Sequence, residues 1–297
     1  MSRLRIVHET IFHFSKEVRI GQHRLVLRPR EGHDLRVEEM LLQITPDFDV
    51  EWSRDVFGNS IATAHFFSPA STLRIKSTLL LTQMSAFPCR SARPVAPPRY
   101  PLKFSPMEES ITSAFRLSTF PAHAGRVAEW LRGEIDQANF CEAETLAAAV
   151  NQKVRRTIRR RDENGMQTPE ETLGSRSGSC SDMAMLLVEC WRVLGFPARF
   201  VSGYLDSASE GGRASTHAWA ETYLPEVGWT GFDPTLGTLT NGQHVAVGVS
   251  NDPRSVLPVT GSFHGDGAHL ESREVTVKIR RIPAMEASAA SILEPCY

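Results

Sequence analysis

Over the first 87 residues, apolar and polar positions alternate with the period of two that sets one face of a β-strand against a core. The segments LRIVHETIFHF, HRLVLRPR, VEEMLLQITP, IATAHFF and TLRIKSTLLLTQ are short and rich in branched and aromatic side chains. Turn formers separate them at Arg30-Glu31-Gly32-His33-Asp34 and Phe57-Gly58-Asn59. The pattern predicts a β-sandwich-like N-terminal domain over residues 1–87. Prolines at 88, 94, 97, 98, 101 and 106 then predict an extended linker over 88–107.

Beyond residue 108 the apolar period lengthens to that of helices. Pro121 can open a helix with Val127, Trp130, Leu131 and Ile135 on one face, and EAETLAAAVNQKVRRTI reads as a second helix. Its basic end, from Arg155 to Arg161, reads as a solvated terminus favoured by the helix dipole. In RSGSCSDMAMLLVECW, Ser179 is an N-cap and Asp182 stands three residues on, as in a capping box, so the helix begins at Cys180. The positions after it are apolar on most sides. Gly195 and Pro197 end the helix.

A thiol at the mouth of a buried helix meets unpaired backbone N–H groups and the positive end of the macrodipole, both of which favour the thiolate. Cys190, inside the apolar run, reads as core filler. A base for Cys180 is offered by THAWAETY, where His217, Trp219, Glu221 and Tyr223 alternate with smaller residues as in a strand. Pro225 to Gly228 form a turn and WTGFD returns. Pairing Tyr223 with Val227 sets His217 opposite Asp233 on one face of the hairpin; a one-residue slip would send Asp233 to the other face. The candidate constellation is Cys180 as nucleophile, His217 as base and acid, and Asp233 orienting the imidazole. Gln152 and Gln167 are candidate second donors to an oxyanion, beside the backbone N–H of Cys180. Asp182 reads as a cap, Glu221 as half of a cross-strand ion pair, and His244 as a structural histidine with a place near the cleft as its alternative.

Composition narrows the function classes. Formal net charge is −1 over 297 residues, so no global field draws the chain to nucleic acid or an anionic membrane. Cysteines at 89, 141, 180, 190 and 296 are odd in number and scattered, as expected of reduced thiols in a cytoplasmic protein. The N-terminus lacks the apolar run of a signal peptide, and no window suits a membrane span. Close ligand pairs such as CxxC or HxxxH, a calcium loop and a phosphate-binding glycine loop are missing from the sequence, so no metal and no cofactor is expected.

These blocks resemble the transglutaminase-like superfamily, in its bacterial cysteine-protease-like branch. The matching stretches are MQTPEETLGSRSGSCSDMAMLLVECWRVLGFPARFVSGYL, THAWAETYLPEVGWTGFDPTLG, HVAVGVSNDPRSVLPVTGSFHG and the N-terminal VHETIFHF, HRLVLRPR and DVFGNSI. The resemblance implies an α+β, papain-like core over 108–297, with the cysteine helix packed on an antiparallel sheet, and it carries the nucleophile, base and acid to Cys180, His217 and Asp233. Ser181 departs from the basic residue common there. The late strand REVTVKIRRI is expected to complete a sheet, with the N-terminal domain as a possible destination. The expected activity is acyl transfer on a peptide or protein substrate, by a peptidase or amidase. The alternatives are a protein-glutamine transamidase with the same triad and a non-catalytic binding module. A thiol redox protein fits poorly, because Cys190 lies about 15 Å along the helix from Cys180.

Overall fold

The computed structural model describes residues 2–84, 97–161, 165–206 and 214–282. The N-terminal strands form a seven-stranded antiparallel sheet organised by β1 (Ser2–Leu25). Sequence reading divides this segment in two, because Lys16 and Glu17 interrupt the apolar pattern. The chain instead runs on as one strand with irregular register beyond His13 and between Ile20 and His23, where the pairing changes. The first half of β1 pairs with β5 (Ala70–Gln83) on one side and β14 (Leu270–Ile282) on the other. The second half pairs with β4 (Ser60–Phe66) and β13 (Val259–His264). β2 (Leu35–Thr45) flanks β5 and β3 (Phe48–Arg54) flanks β4. β3 escapes sequence reading because most of its side chains are exposed and its alternation is weak.

The return of β13 and β14 to β1 corrects the expected boundary at 108–297. The last strands are built into the N-terminal sheet, because a strand of 24 residues has backbone donors and acceptors to satisfy along both edges. The expected linker is described from Pro97 onward, and that part is docked. The backbone N–H of Tyr100 donates to the Cys141 carbonyl, and the Tyr100 ring stacks on Phe196 at 5.6 Å. Residues 85–96, with Cys89, and the chain after 282, with Cys296, lie outside the described residues.

The second half is α+β. α1 (Pro106–Arg116), α2 (Ala124–Glu134), α3 (Ala143–Thr157) and α4 (Pro169–Ser175) surround α5 (Cys180–Val193). Ahead of α5, β6 (Arg159–Arg160) pairs in parallel with β7 (Ser177–Gly178). α5 is buried from Asp182 through Arg192 and packs on a five-stranded antiparallel sheet. The strand order there is β11 (Thr238–Leu239), β10 (Gly228–Asp233), β9 (Ser215–Leu224), β8 (Ala198–Leu205), β12 (His244–Ser250). Ala220, Leu224 and Phe232 meet Leu186, Leu187 and Trp191 of α5 and Val150 of α3 in one core. Among the described residues no helix is long and apolar enough to cross a membrane.

The two sheets share a second core, in which Leu4, Ile6, Leu79 and Leu81 meet Tyr204, Val245 and Val247. His8 crosses this seam to the Tyr204 hydroxyl at 3.0 Å, and burial pushes its imidazole down to about 4, so it bonds as a neutral ring. Asn59 caps the seam. Its side-chain oxygen accepts from the N–H of Val249 at 2.9 Å and its amide donates to the Val249 carbonyl at 2.8 Å, as a strand neighbour would.

A buried ion pair fixes the far end of α5. Arg192 meets Glu189 at 2.8 Å with both side chains almost fully enclosed. Its remaining donors reach the carbonyls of Phe115 and Ala198 and the side chains of Thr119 and Asn251. Truncating one partner strands a charge in the core. Arg192→Met is therefore expected to lower unfolding stability by about 3–5 kcal/mol in a urea titration; a variant as stable as the parent would contradict this role.

Candidate active site

The start of α5 is built as its residues dictate. The Ser179 hydroxyl accepts from the Asp182 N–H at 3.2 Å, and the Asp182 carboxylate accepts from the Ser179 N–H at 2.8 Å, closing a capping box. Asp182 also accepts from Arg161 at 3.1 Å and from the N–H of Gln167 at 2.7 Å, so it ties the preceding loop to the helix. Cys180 occupies the first helical position, half-buried against Ala184, Phe200, Ala218 and Val256.

The hairpin carrying the other two candidates has a register two residues from the expected one. Leu224 pairs with Gly228 and Tyr223 with Trp229. The cause is Pro225, whose fixed φ suits the first corner of a turn. The turn thus runs from Leu224 to Val227, closed by the Val227 N–H on the Leu224 carbonyl, with Glu226 at φ 62°. A shift of two preserves parity, so Asp233 still shares the face of His217. The His217 Nε2 lies 2.7 Å from Asp233 Oδ2, and both side chains are buried. Opposite His217 stands Gly203, where an added Cβ would fall 2.6 Å from the Trp219 ring; the missing side chain gives that ring its place beside the site.

Asp233 is wholly buried and each of its oxygens accepts twice. Oδ1 receives the N–H groups of Thr235 at 2.8 Å and Leu236 at 3.2 Å, and Oδ2 receives His217 and also His244, at 3.1 Å. Burial pushes this carboxyl up, but the hydrogen bonds from His217 and His244 hold it well below the usual range. Burial likewise pulls His217 down, and its contacts with Asp233 and Cys180 outweigh that, leaving it raised to about 9. With Nε2 on Asp233, the other ring nitrogen, Nδ1, is buried without a partner at hydrogen-bond geometry among the described residues. Desolvation raises the Cys180 thiol, yet the His217 imidazole, the Arg160 charge and the N–H of Ala218 bring it below its ordinary value. A thiolate facing an imidazolium is a nucleophile that can attack an acyl carbon and a proton donor that can release the leaving group.

Other sequence candidates fall elsewhere. The Gln152 amide donates to the Gly237 carbonyl, and the Gln167 amide contacts Ser175 at 3.5 Å. Glu221 pairs across the strand with Arg199 at 2.7 Å. Two residues take places other than the sequence reading gives them, with the basic run as a solvated helix end and His244 as a structural histidine. Arg160 joins Gly178 in a short parallel bridge, which carries a charge from the supposedly solvated helix end toward Cys180. His244 reaches Asp233 from the opposite edge of the sheet. No local sequence signal marks either, because both depend on pairing between distant segments. A cavity of about 440 Å³ opens over Trp219 and His244, with Gln83 of the N-terminal sheet and Arg30 of the loop after β1 on one side and Glu221 and Asn241 on the other.

Comparison with known proteins agrees with this architecture. Residues 126–234 match the Transglutaminase-like superfamily and residues 4–82 the Bacterial transglutaminase-like N-terminal region. A Mycobacterium tuberculosis relative, "Uncharacterized protein Rv2569c", is 27% identical over 95% of this chain and 93% of its own. A Pseudomonas aeruginosa "Protein-glutamine gamma-glutamyltransferase" is 29% identical over 39% of this chain but 19% of its own. The structure of a Cytophaga hutchinsonii protein named "Putative Cysteine Protease" superposes with a TM-score of 0.70 at 15% identity, covering 100% of this chain and 93% of that one, which shows a common fold. The chain is thus a transglutaminase-like protein of the bacterial type, with the superfamily's core behind its bacterial N-terminal region.

Proposed function

We propose that this chain is a cysteine-dependent acyl-transfer enzyme that hydrolyses amide or peptide bonds in a peptide or protein substrate, with Cys180, His217 and Asp233 as its triad. The observation that carries the reading is the fixed imidazole: Asp233 holds the Nε2 side of His217, Nδ1 is left without another hydrogen-bond partner among the described residues, and His217 interacts with Cys180. The Cys180 thiolate adds to the carbonyl carbon and the carbonyl electrons move to oxygen. The backbone N–H of Cys180, at the first turn of α5, is one donor available to that oxyanion. The C–N bond then breaks, the leaving nitrogen takes the proton of His217, and a thioester remains on Cys180. His217 removes a proton from water, water's oxygen adds to the thioester carbon, and the C–S bond breaks to release the acid and the thiolate.

A second reading has a specific observation behind it, the likeness to a protein-glutamine gamma-glutamyltransferase. In that reaction a primary amine replaces water at the thioester, and the triad's roles are unchanged. The test is a peptide panel incubated with and without a primary amine, with products read by mass spectrometry. Free acid as the main product in both, lost in Cys180→Ala, is the expected result. Predominant amine incorporation would transfer the assignment to transamidation. A panel that yields neither product nor a covalent adduct on Cys180 would leave a binding module as the better reading.

Two quantitative expectations follow from the electrostatics. Activity should rise with pH as Cys180 ionises below its ordinary range and fall again as His217, raised to about 9, loses its proton. A pH–rate profile still rising through that point would contradict the ion pair. Asp233→Asn can donate where the carboxylate accepts and so favours the wrong tautomer of His217; kcat is expected to fall by about 10⁴, and a loss under tenfold would count against Asp233 as the orienting acid.

A further inference from the structure

We infer that His244 is a positioning residue for this constellation, a second imidazole that holds the Asp233 carboxylate in place; the inference rests on the triad assignment above. The His244 ring stands on β12, at one edge of the five-stranded sheet, and Asp233 ends β10, with β8 and β9 between. In a flat sheet those strands would lie about 14 Å apart at the usual strand spacing. The reach of the two side chains and the curl of the sheet together bring His244 Nε2 to 3.1 Å from Asp233 Oδ2.

The proton that His244 gives is placed by its partner. Nδ1 lies 3.2 Å from the backbone N–H and 3.3 Å from the side-chain oxygen of Asn241, a donor and an acceptor, whereas Nε2 faces only the Asp233 carboxylate among its hydrogen-bond contacts with the described residues. The Asp233 oxygen accepts, so the proton between them sits on Nε2 and His244 donates it. His217 donates to the same oxygen, so the two rings together fill the lone pairs of Oδ2. A buried acceptor left short of a donor is costly, and a carboxylate free to tilt toward another partner would carry the His217 ring with it. His217, Asp233 and His244 also form a set of ligand-type atoms within 4.8 Å of one another. A metal ion would need a place between them with bonds near 2.0–2.2 Å. Both nitrogens instead lie at hydrogen-bond distance from the one oxygen, an arrangement that fits shared protons.

His244 is itself held from two sides. Its ring meets the edge of Trp219 at 5.2 Å and 80°. The strand behind it is clamped by the N-terminal sheet through the Arg30 N–H on the Ala246 carbonyl at 2.9 Å, the Asn59 pair at Val249, and the burial of Val245 and Val247. The N-terminal domain thus reaches the triad through one histidine.

The wild-type protein and two variants test the assignment. Nitrogen NMR of histidine-labelled wild-type protein should show His244 carrying a proton on Nε2; a ring whose only proton is on Nδ1 would overturn the inference. His244→Phe keeps the bulk and removes the donor, whereas His244→Gln can place an amide N–H near the lost one. The midpoint of the Cys180 thiolate absorbance against pH should rise by about one unit in His244→Phe, a tenfold weaker ionisation, and return most of the way in His244→Gln, with thermal unfolding confirming that both are folded. A wild-type midpoint in His244→Phe, or no recovery in His244→Gln, would overturn it. A wild-type Cys180 without thiolate absorbance would sink the triad assignment instead, and the two failures are distinct because the tautomer is read independently.

Discussion

One fully buried carboxylate sets the terms for the rest of the catalytic half. Asp233 stays ionised out of water because every lone pair finds a donor; stranding a buried charge costs about 3–5 kcal/mol, a large share of a protein's net stability. Two donors are local, the N–H groups of Thr235 and Leu236 in the turn that follows the strand. The other two are imidazoles from β9 and β12, and they arrive only when the whole sheet is formed and curled. The charge that orients His217 therefore exists at its depressed pKa only in the assembled fold. The thiolate at Cys180 inherits that dependence, because its largest stabilising partner is the imidazole that Asp233 holds.

The same chain of support runs through both sheets. β12 lies at a sheet edge, and an edge strand alone is weakly held. The N-terminal sheet covers it with side chains from β1 and β5 and bonds its backbone through Arg30 and Asn59. β1 is in turn made rigid by strands from both ends of the chain, since β14 arrives after the catalytic half is complete. Interleaving of this kind ties the docking of one sheet to the geometry of the other. At the opposite end of α5 the Arg192–Glu189 pair secures the helix that presents Cys180, so Cys180 and His217 are fixed from independent directions.

What could be read without coordinates was whatever depends on neighbours in sequence. Ser179 and Asp182 announce the helix start by their own hydrogen-bonding chemistry, and Cys180 follows from that. Strand alternation assigned His217 to its face, and parity carried Asp233 to the same one even though Pro225 displaced the hairpin by a step the pattern does not specify. The remaining features come from long-range closure. Nothing near His244 says that the sheet will curl to meet Asp233, and nothing in the basic run says that Arg160 will bridge to Gly178. The continuity of β1 was hidden for a related reason: Lys16 and Glu17 resemble a turn, and only strands contributed by distant parts of the chain keep it extended.

The central claim is that Cys180 is a thiolate because His217, held by Asp233, makes it one. The rate of iodoacetamide alkylation at Cys180 measured against pH, in the wild type and in His217→Ala, tests it most directly. The account predicts fast alkylation whose midpoint lies well below that of an ordinary thiol, near 8.5, and a shift up to that value with loss of rate in the variant. A slow wild-type reaction with an ordinary midpoint, unchanged by the substitution, would contradict it.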